Sequence, residues 1–223
     1  MNLELCDFCA QTKTSEILHN VCFSLPANST TLLTGANGAG KSTILRGIMG
    51  LGGLKYSGKV LLDGKDIAKL GIDERARSGI FMSFQEPVAI EGLSLIEALR
   101  SALEARGERL ALSAVKIRIS EALEKVGLSP FMASRELNYK LSGGEKKKCE
   151  IAQMLVLQPK LVLLDEIDSG LDAKSCRNIS KILKDYQRET GASFLIVSHN
   201  LKILSELKVD QELSVESGRI VKK

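Results

Sequence analysis

Tryptophan is absent, and aromatic residues make only 4% of the 223-residue chain. That argues against an aromatic platform for stacking nucleic-acid bases. Charge of one sign is not concentrated either: the net charge is +4, and Lys146-Lys147-Lys148 is the one tight cluster. On a helix such a cluster reads as a solvated face, so no nucleic-acid partner is expected. No run reaches about eighteen apolar residues, so neither a spanning helix nor direct membrane insertion is expected. The start, Met1-Asn2-Leu3-Glu4-Leu5, lacks a basic segment followed by an apolar one, so no signal peptide is expected. The expected location is cytoplasmic, or an organelle interior resembling stroma or matrix. Five cysteines without regular spacing do not describe a disulfide framework. Cys6 and Cys9 form one C-x-x-C, but no second pair or nearby His completes a tetrahedral metal site. Alternating faces of a first strand explain that pair more simply.

What remains is ordinary for one globular unit with a sizeable core: 44% hydrophobic and 26% charged residues. Residues 3–9 and 17–25 read as strands joined by a polar turn, and 30–34 as a short strand feeding into Gly35. Residues 42–49 read as a helix closed by Gly50, 58–62 as a strand turned by Asp63-Gly64, and 80–84 as a strand stopped before Pro87. From there the pattern changes. Residues 95–106, 111–126 and 143–157 carry helical periodicity, so 86–158 is read as a helical insert between core parts 1–85 and 159–223. The β/α pattern resumes with an apolar strand at 161–164, a helix at 172–189, a strand at 193–197, a helix at 201–207 and strands at 209–215 and 220–221.

Gly35-Ala36-Asn37-Gly38-Ala39-Gly40-Lys41-Ser42 satisfies G-x-x-x-x-G-K-[ST] between a predicted strand and a predicted helix. Its glycines let backbone amides turn inward around phosphates, and the helix N-terminus adds favourable dipole charge. Lys41 should reach the β- and γ-phosphates, Ser42 should ligate Mg²⁺, and Thr43 can help hold the α-phosphate region. Leu161-Val162-Leu163-Leu164-Asp165-Glu166 then places Asp165 at a strand's carboxyl end, beside the metal. Glu166, one step on, can orient or deprotonate an attacking water. Read alone, the acidic pair could cap a helix; Lys41 and Ser42 upstream favour the metal reading. Gln85, at a strand end, can touch Mg²⁺ or water and report γ-phosphate occupancy to the insert. His199 follows the apolar run Phe194-Leu195-Ile196-Val197 and can hydrogen-bond the γ-phosphate, whereas His19 sits in an early strand and reads as structural. Leu141-Ser142-Gly143-Gly144-Glu145 has the composition of a second anion-binding helix start, with Ser142 as cap and Glu145 as its capping-box partner.

In this order the phosphate loop, Gln85, Leu141-Ser142-Gly143-Gly144-Glu145, Asp165-Glu166, Ser169-Gly170-Leu171-Asp172 and His199 resemble an ABC-type ATPase domain over nearly the whole chain. The resemblance implies a P-loop α/β fold with an N-terminal antiparallel β part and a helical insert. It also implies Mg²⁺-dependent hydrolysis of ATP and a transient head-to-tail homodimer. Gly35 to Thr43 of one copy would then face Ser142 to Glu145 of the other across ATP, with Asp172 at the interface. Within that family, Phe81-Met82-Ser83-Phe84-Gln85-Glu86-Pro87, Lys146-Lys147-Lys148 and Ile167-Asp168-Ser169 after the acidic pair are similar to the SufC subfamily, the ATPases of SUF iron–sulfur cluster assembly. Most transporter ATPases carry Pro-Thr-Ser/Ala in the three places held here by Ile167-Asp168-Ser169. This narrower resemblance implies SufB-like and SufD-like scaffold partners docking near Gln85, and a resting state in which Lys147 holds Glu166 aside. The alternative is the nucleotide-binding subunit of an ABC membrane transporter, which shares every catalytic residue. Two features depart from the family pattern: no aromatic residue stands between Cys9 and Ile17, where many members stack adenine on a Tyr, and 135–140 differs from the commoner sequence. Relatives are also expected to continue a few tens of residues beyond Lys223.

Overall fold

A computed structural model describes residues 1–198 and 204–222. Short runs form the strands of a six-stranded sheet, apolar at its centre and alternating with polar residues at the β11–β12 edge: β3 (Thr30–Thr34), β6 (Ile80–Met82), β9 (Leu161–Asp165), β10 (Ser193–Val197), β11 (Gln211–Glu216) and β12 (Arg219–Lys222). Their order is β12-β11-β3-β10-β9-β6, and every pairing is parallel except β11 with β12. All five residues of β9 and of β10 are buried, as a central parallel strand covered on both faces requires.

The period of two along these strands divides the core. Leu32, Val162, Leu164, Phe194 and Ile196 point into one apolar cluster. Their neighbours Leu33, Leu161, Leu163, Leu195 and Val197 point into another. The second cluster is closed by α1 (Lys41–Met49) and by an antiparallel sheet. That sheet runs β2-β1-β4-β5, from β1 (Leu3–Gln11), β2 (Glu16–Leu25), β4 (Lys55–Leu62) and β5 (Lys65–Asp66). The first cluster is closed by α3 (Leu95–Ala105), α4 (Leu112–Lys125), α5 (Gly143–Leu157) and α6 (Ala173–Thr190). In α4 the buried positions Val115, Ile119, Ala122 and Leu123 follow the helical repeat. α3 begins with a capping box in which Ser94 accepts from the Glu97 N–H.

The stretch 86–158 is not purely helical. It also carries β7 (Ile90–Ser94) paired antiparallel with β8 (Glu136–Leu137), and a 3-10 turn at Pro130–Ser134. These strands are short and only partly buried, so no alternation announces them. A further helix, α2 (Ile72–Arg77), precedes β6; six residues are too few for periodicity to show. The strand expected at 80–84 ends at Met82, where the chain turns away towards Gln85. The strand expected at 209–215 begins at Gln211. Of the helix expected at 201–207, residues 201–203 lie outside those described.

Leu163 has no exposed surface and pairs with both Leu195 and Met82. Leu163→Ala should cost about 2–5 kcal/mol of stability, read as a lower midpoint with an unchanged slope in urea unfolding.

Candidate functional site

Parallel strands deliver their carboxyl ends to one edge of the sheet, the usual place for a ligand in this architecture. Val197 is level with Leu33 of β3 and with Asp165 of β9, while Met82 of β6 is level with Leu163. The loop after β3, the acidic pair after β9 and the Ser83-Phe84-Gln85 segment after β6 therefore leave the sheet side by side.

The loop after β3 is shaped by its glycines. Gly35 has φ +134°, and a Cβ there would lie 2.2 Å from the Val215 carbonyl oxygen. Gly40 caps α1 in a left-handed conformation, without any side-chain cap on the first turn. The orphan amides of that turn are thus left for a ligand, with the helix dipole behind them. Lys41 is buried, and its Nζ donates to the carbonyls of Gly35 and Ala36 at 2.8 and 2.9 Å, which holds the ammonium inside the loop. Asn37, Gly38 and Ala39 complete the turn, and Thr43 lies in the first turn of α1.

Ser42 reaches across 123 positions of sequence: its Oγ donates to Asp165 Oδ1 at 3.0 Å. Asp165 is 3% exposed, and its backbone N–H donates to the Ser83 hydroxyl. Burial raises the Asp165 pKa; the Ser42 hydrogen bond opposes this, and the neighbouring Glu166 charge adds to it. A hydroxyl and a buried carboxylate are hard oxygen donors. They suit Mg²⁺, which keeps waters and takes phosphate oxygens rather than a full protein cage. Among the described residues no cluster of three or more His, Cys, Asp or Glu could hold a metal ion by itself.

Glu166 adopts φ +48°, the left-handed region, while its N–H donates to the Val197 carbonyl at 3.0 Å. For a residue other than glycine this costs on the order of 1 kcal/mol, and it turns the side chain out of the strand line. Gln85 Nε2 donates to Glu166 Oε2 at 2.9 Å. Lys147 does not form the ion pair with Glu166 that the resemblance implies. Lys147 is buried by α5 beneath the Gln85 segment, and its Nζ donates to the Phe84 carbonyl. Glu150, one turn further along α5, accepts from the Phe84 N–H at 2.8 Å. The backbone of one residue, Phe84, is thus held at both its N–H and its C=O by a single helix. Neither Ser83 nor Glu150 stands out in the sequence, because only the tertiary approach of α5 and β9 gives them partners.

Ser142 and Glu145 form the expected capping box: Ser142 N and Oγ donate to Glu145 Oε2 at 2.9 and 2.8 Å. These bonds lower the Glu145 pKa. Gly143 is open, and a Cβ on Gly144 would lie 3.3 Å from the Gly170 carbonyl oxygen, so the two glycine segments are neighbours. Asp172 is exposed and caps α6, accepting from Ser175 N–H at 2.8 Å. Among the described residues no hydrogen bond or ion pair joins Ser142, Gly143, Gly144, Glu145 or Asp172 to the Lys41 loop. His199 lies outside the described residues.

A phosphate loop facing a strand-end carboxylate in a doubly covered parallel sheet defines a P-loop nucleotide-binding protein. The family model described as ABC transporter matches residues 18–169, and the chain belongs to that family. A probable ABC transporter ATP-binding protein of Streptococcus pyogenes is 36% identical over 224 residues, covering 98% of this chain and 87% of its own length. The iron–sulfur cluster assembly protein SufC of Plasmodium falciparum is 36% identical over 212 residues, covering 92% of this chain and 61% of that protein. A bacterial ABC transporter cassette solved as a dimer superposes with a TM-score of 0.86 at 24% identity, covering 99% and 97% of the two chains; at that identity the likeness concerns the fold. The chain is therefore an ABC-type ATPase, with ATP and Mg²⁺ as its nucleotide and metal. No helix among the described residues is long and apolar enough to cross a membrane.

Burial raises the Glu150 pKa from 4.5 to about 7, with the Phe84 hydrogen bond and Lys147 opposing it. A carboxyl whose folded pKa is raised binds its proton more tightly in the fold, so its stabilising contribution is lost as pH rises through 7. Glu150→Gln keeps an acceptor for Phe84 but cannot ionise. It should gain stability relative to the parent protein by about 2 kcal/mol between pH ~5 and pH ~8, read from urea unfolding at both values.

Proposed function

We propose that this ATPase drives conformational change in a SufB–SufC–SufD-like complex for iron–sulfur cluster assembly, working as a transient head-to-tail homodimer closed on ATP. The observation that carries the hydrolytic part is the pair of contacts Ser42–Asp165 and Gln85–Glu166, at 3.0 and 2.9 Å. They bring two pairs to the same strand ends, one suited to hold a metal and one suited to orient water. In this reading the backbone of Gly35, Ala36, Asn37, Gly38, Ala39 and Gly40 cradles the phosphates. Lys41 binds the β- and γ-phosphate oxygens, and Thr43 supports the α-phosphate end. Ser42 and Asp165 would hold Mg²⁺, with Gln85 as a further oxygen donor; the metal would supply charge neutralisation for the transferring phosphoryl group. Glu166 accepts the proton of the attacking water, and Gln85 and His199 orient the reacting groups.

Ser142, Gly143, Gly144, Glu145 and Asp172 complete the site from the opposite copy. Support comes from the exposure of Ser142, Gly143 and Asp172 and from the absence, among the described residues, of hydrogen bonds or ion pairs between the five and the loop of their own chain. Residues 1–85 and 159–223 form the catalytic core, and 86–158 with the Gln85 segment forms the face that partners load. The SUF assignment is supported by Lys146-Lys147-Lys148, by Asp168 after the acidic pair and by the similarity to the Plasmodium SufC. The second reading, a subunit serving a membrane transporter, is favoured by the name of the streptococcal relative and uses the same site.

Glu166→Gln should retain ATP binding, lower turnover by about a hundredfold or more, and accumulate as an ATP-bound dimer in size-exclusion chromatography. Turnover at the parent rate would remove Glu166 from the mechanism. Affinity purification from the native cell separates the two readings. Soluble SufB-like and SufD-like proteins are the expected companions, with cluster delivery lost in Lys41→Ala, whereas an integral membrane partner would establish the transporter reading.

A further inference from the structure

Arg75 belongs to no nucleotide-binding motif, yet it is among the most deeply buried charges of the molecule, at 4% exposure. Its guanidinium forms four hydrogen bonds, all to neutral backbone carbonyls. Nη1 donates to Gly47 and Ile48 at 2.9 and 2.8 Å, Nε to Leu70 at 3.0 Å, and Nη2 to Ala68 at 2.9 Å. Among the described residues no carboxylate makes an ion pair with it. A buried cation without a direct ion pair is expensive unless its donors are satisfied, even with the Asp66 charge acting on it from further off. Here two are satisfied by the end of a helix and two by the Ala68 and Leu70 carbonyls. Gly47 and Ile48 lie in the last turn of α1, whose carbonyls fall outside the regular i to i+4 ladder and carry the negative end of the dipole.

The seat is shaped for a guanidinium. Gly50 closes α1 at φ +73°, and a Cβ there would lie 2.9 Å from Arg75 Cζ. The Gly50 and Leu51 amides close back on Gly47 and Arg46, and Arg75 supplies the donor for Ile48. A planar fork spans several carbonyls at once; an ammonium does not.

What this seat holds is the far end of the phosphate-loop helix. α1 has nine residues, so it is a rod about 13 Å long, with Lys41 and Ser42 at one end and the Arg75 contacts at the other. Arg75 itself sits on α2, which runs through Gly79 directly into β6 and thence to Gln85. The Gly79 carbonyl also accepts from Lys160 and Leu161 at the start of β9. The guanidinium therefore joins the helix that carries Ser42 to the segment that starts the strands of Gln85 and Asp165.

We propose that Arg75 is a positioning residue for ATP hydrolysis. From α2 it bonds the C-terminal carbonyls of α1 and so holds Ser42, at the opposite end, in register with Asp165. This rests on the reading of Lys41 and Ser42 as phosphate and Mg²⁺ ligands.

The test uses the full chain with Arg75→Met and Arg75→Lys. Leu123→Ala serves as a control for lost stability, since Leu123 is buried among the helices of 86–158. ATP turnover and its Mg²⁺ dependence are measured on folded protein, verified by a cooperative thermal transition. Arg75→Met should lower kcat by about tenfold to a hundredfold and raise the half-saturating Mg²⁺ concentration. Arg75→Lys should fall in between, and Leu123→Ala should keep the parent kinetics per folded molecule. Parent kcat and Mg²⁺ dependence in either folded Arg75 variant would overturn the proposal. So would an equal kinetic loss in Leu123→Ala, which would make Arg75 a matter of general stability. If Arg75→Met does not fold, Arg75→Lys alone decides by the same criterion. Lys41→Ala separates the two levels. Retained ATP binding in that variant would defeat the phosphate-loop reading itself, whereas its loss together with parent kinetics in the Arg75 variants would defeat only the role of Arg75.

Discussion

The hydrogen bond from Ser42 to Asp165 is the contact on which the rest of the site depends. It joins the first turn of α1 to the last residue of β9 across 123 positions, at 3.0 Å. A contact this short tolerates little error in the placement of either element. β3, which launches the loop of α1, and β9 do not touch; β10 lies between them, parallel to both. The register of two parallel ladders thus sets where Ser42 and Asp165 meet. Parallel strands with buried faces resist slippage, since a shift of one residue would turn an apolar set from one cluster to the other.

Around that contact the protein buries several charges, and each is compensated differently. Asp165 has a hydroxyl and the nearby Lys147 and Lys41, Lys41 has two carbonyls of its own loop, and Arg75 has four carbonyls, two of them at a helix end. Lys147 and Glu150 take the C=O and the N–H of one residue, Phe84. Backbone groups do most of this work. They add no side-chain entropy, they sit at positions dictated by the fold, and their dipoles favour one sign of charge. The consequence is a site whose electrostatics are built into the orientation of helices and strand ends, which a motif search does not see.

Much was legible in the chain itself. The strands at Thr30–Thr34 and Ser193–Val197 and the helix Gly143–Leu157 appear with the expected bounds, because apolar runs, glycine loops and capping residues mark them locally. Lys41, Ser42, Asp165 and Glu166 could be named from spacing and strand-end position. α2 and the β7–β8 pair were not legible, since two to six residues carry no period. The pairing of Lys147 with Glu166 was implied by resemblance and not by residues, and the structure gives Lys147 another partner: the Phe84 carbonyl lies within its reach once α5 packs beneath the Gln85 segment.

By itself, the sequence determined the family, the order of the elements, and the chemical identity of the phosphate loop and the acidic pair. Those are properties of contiguous residues, where local geometry follows from glycine, capping side chains and apolar period. Tertiary structure alone decided which buried charge meets which backbone group: Arg75 on the end of α1, Glu150 and Lys147 on Phe84, Ser83 under Asp165. Such contacts join segments tens of residues apart. They exist only after the sheet has set its register and the helices have packed on its two faces, and no local pattern encodes them.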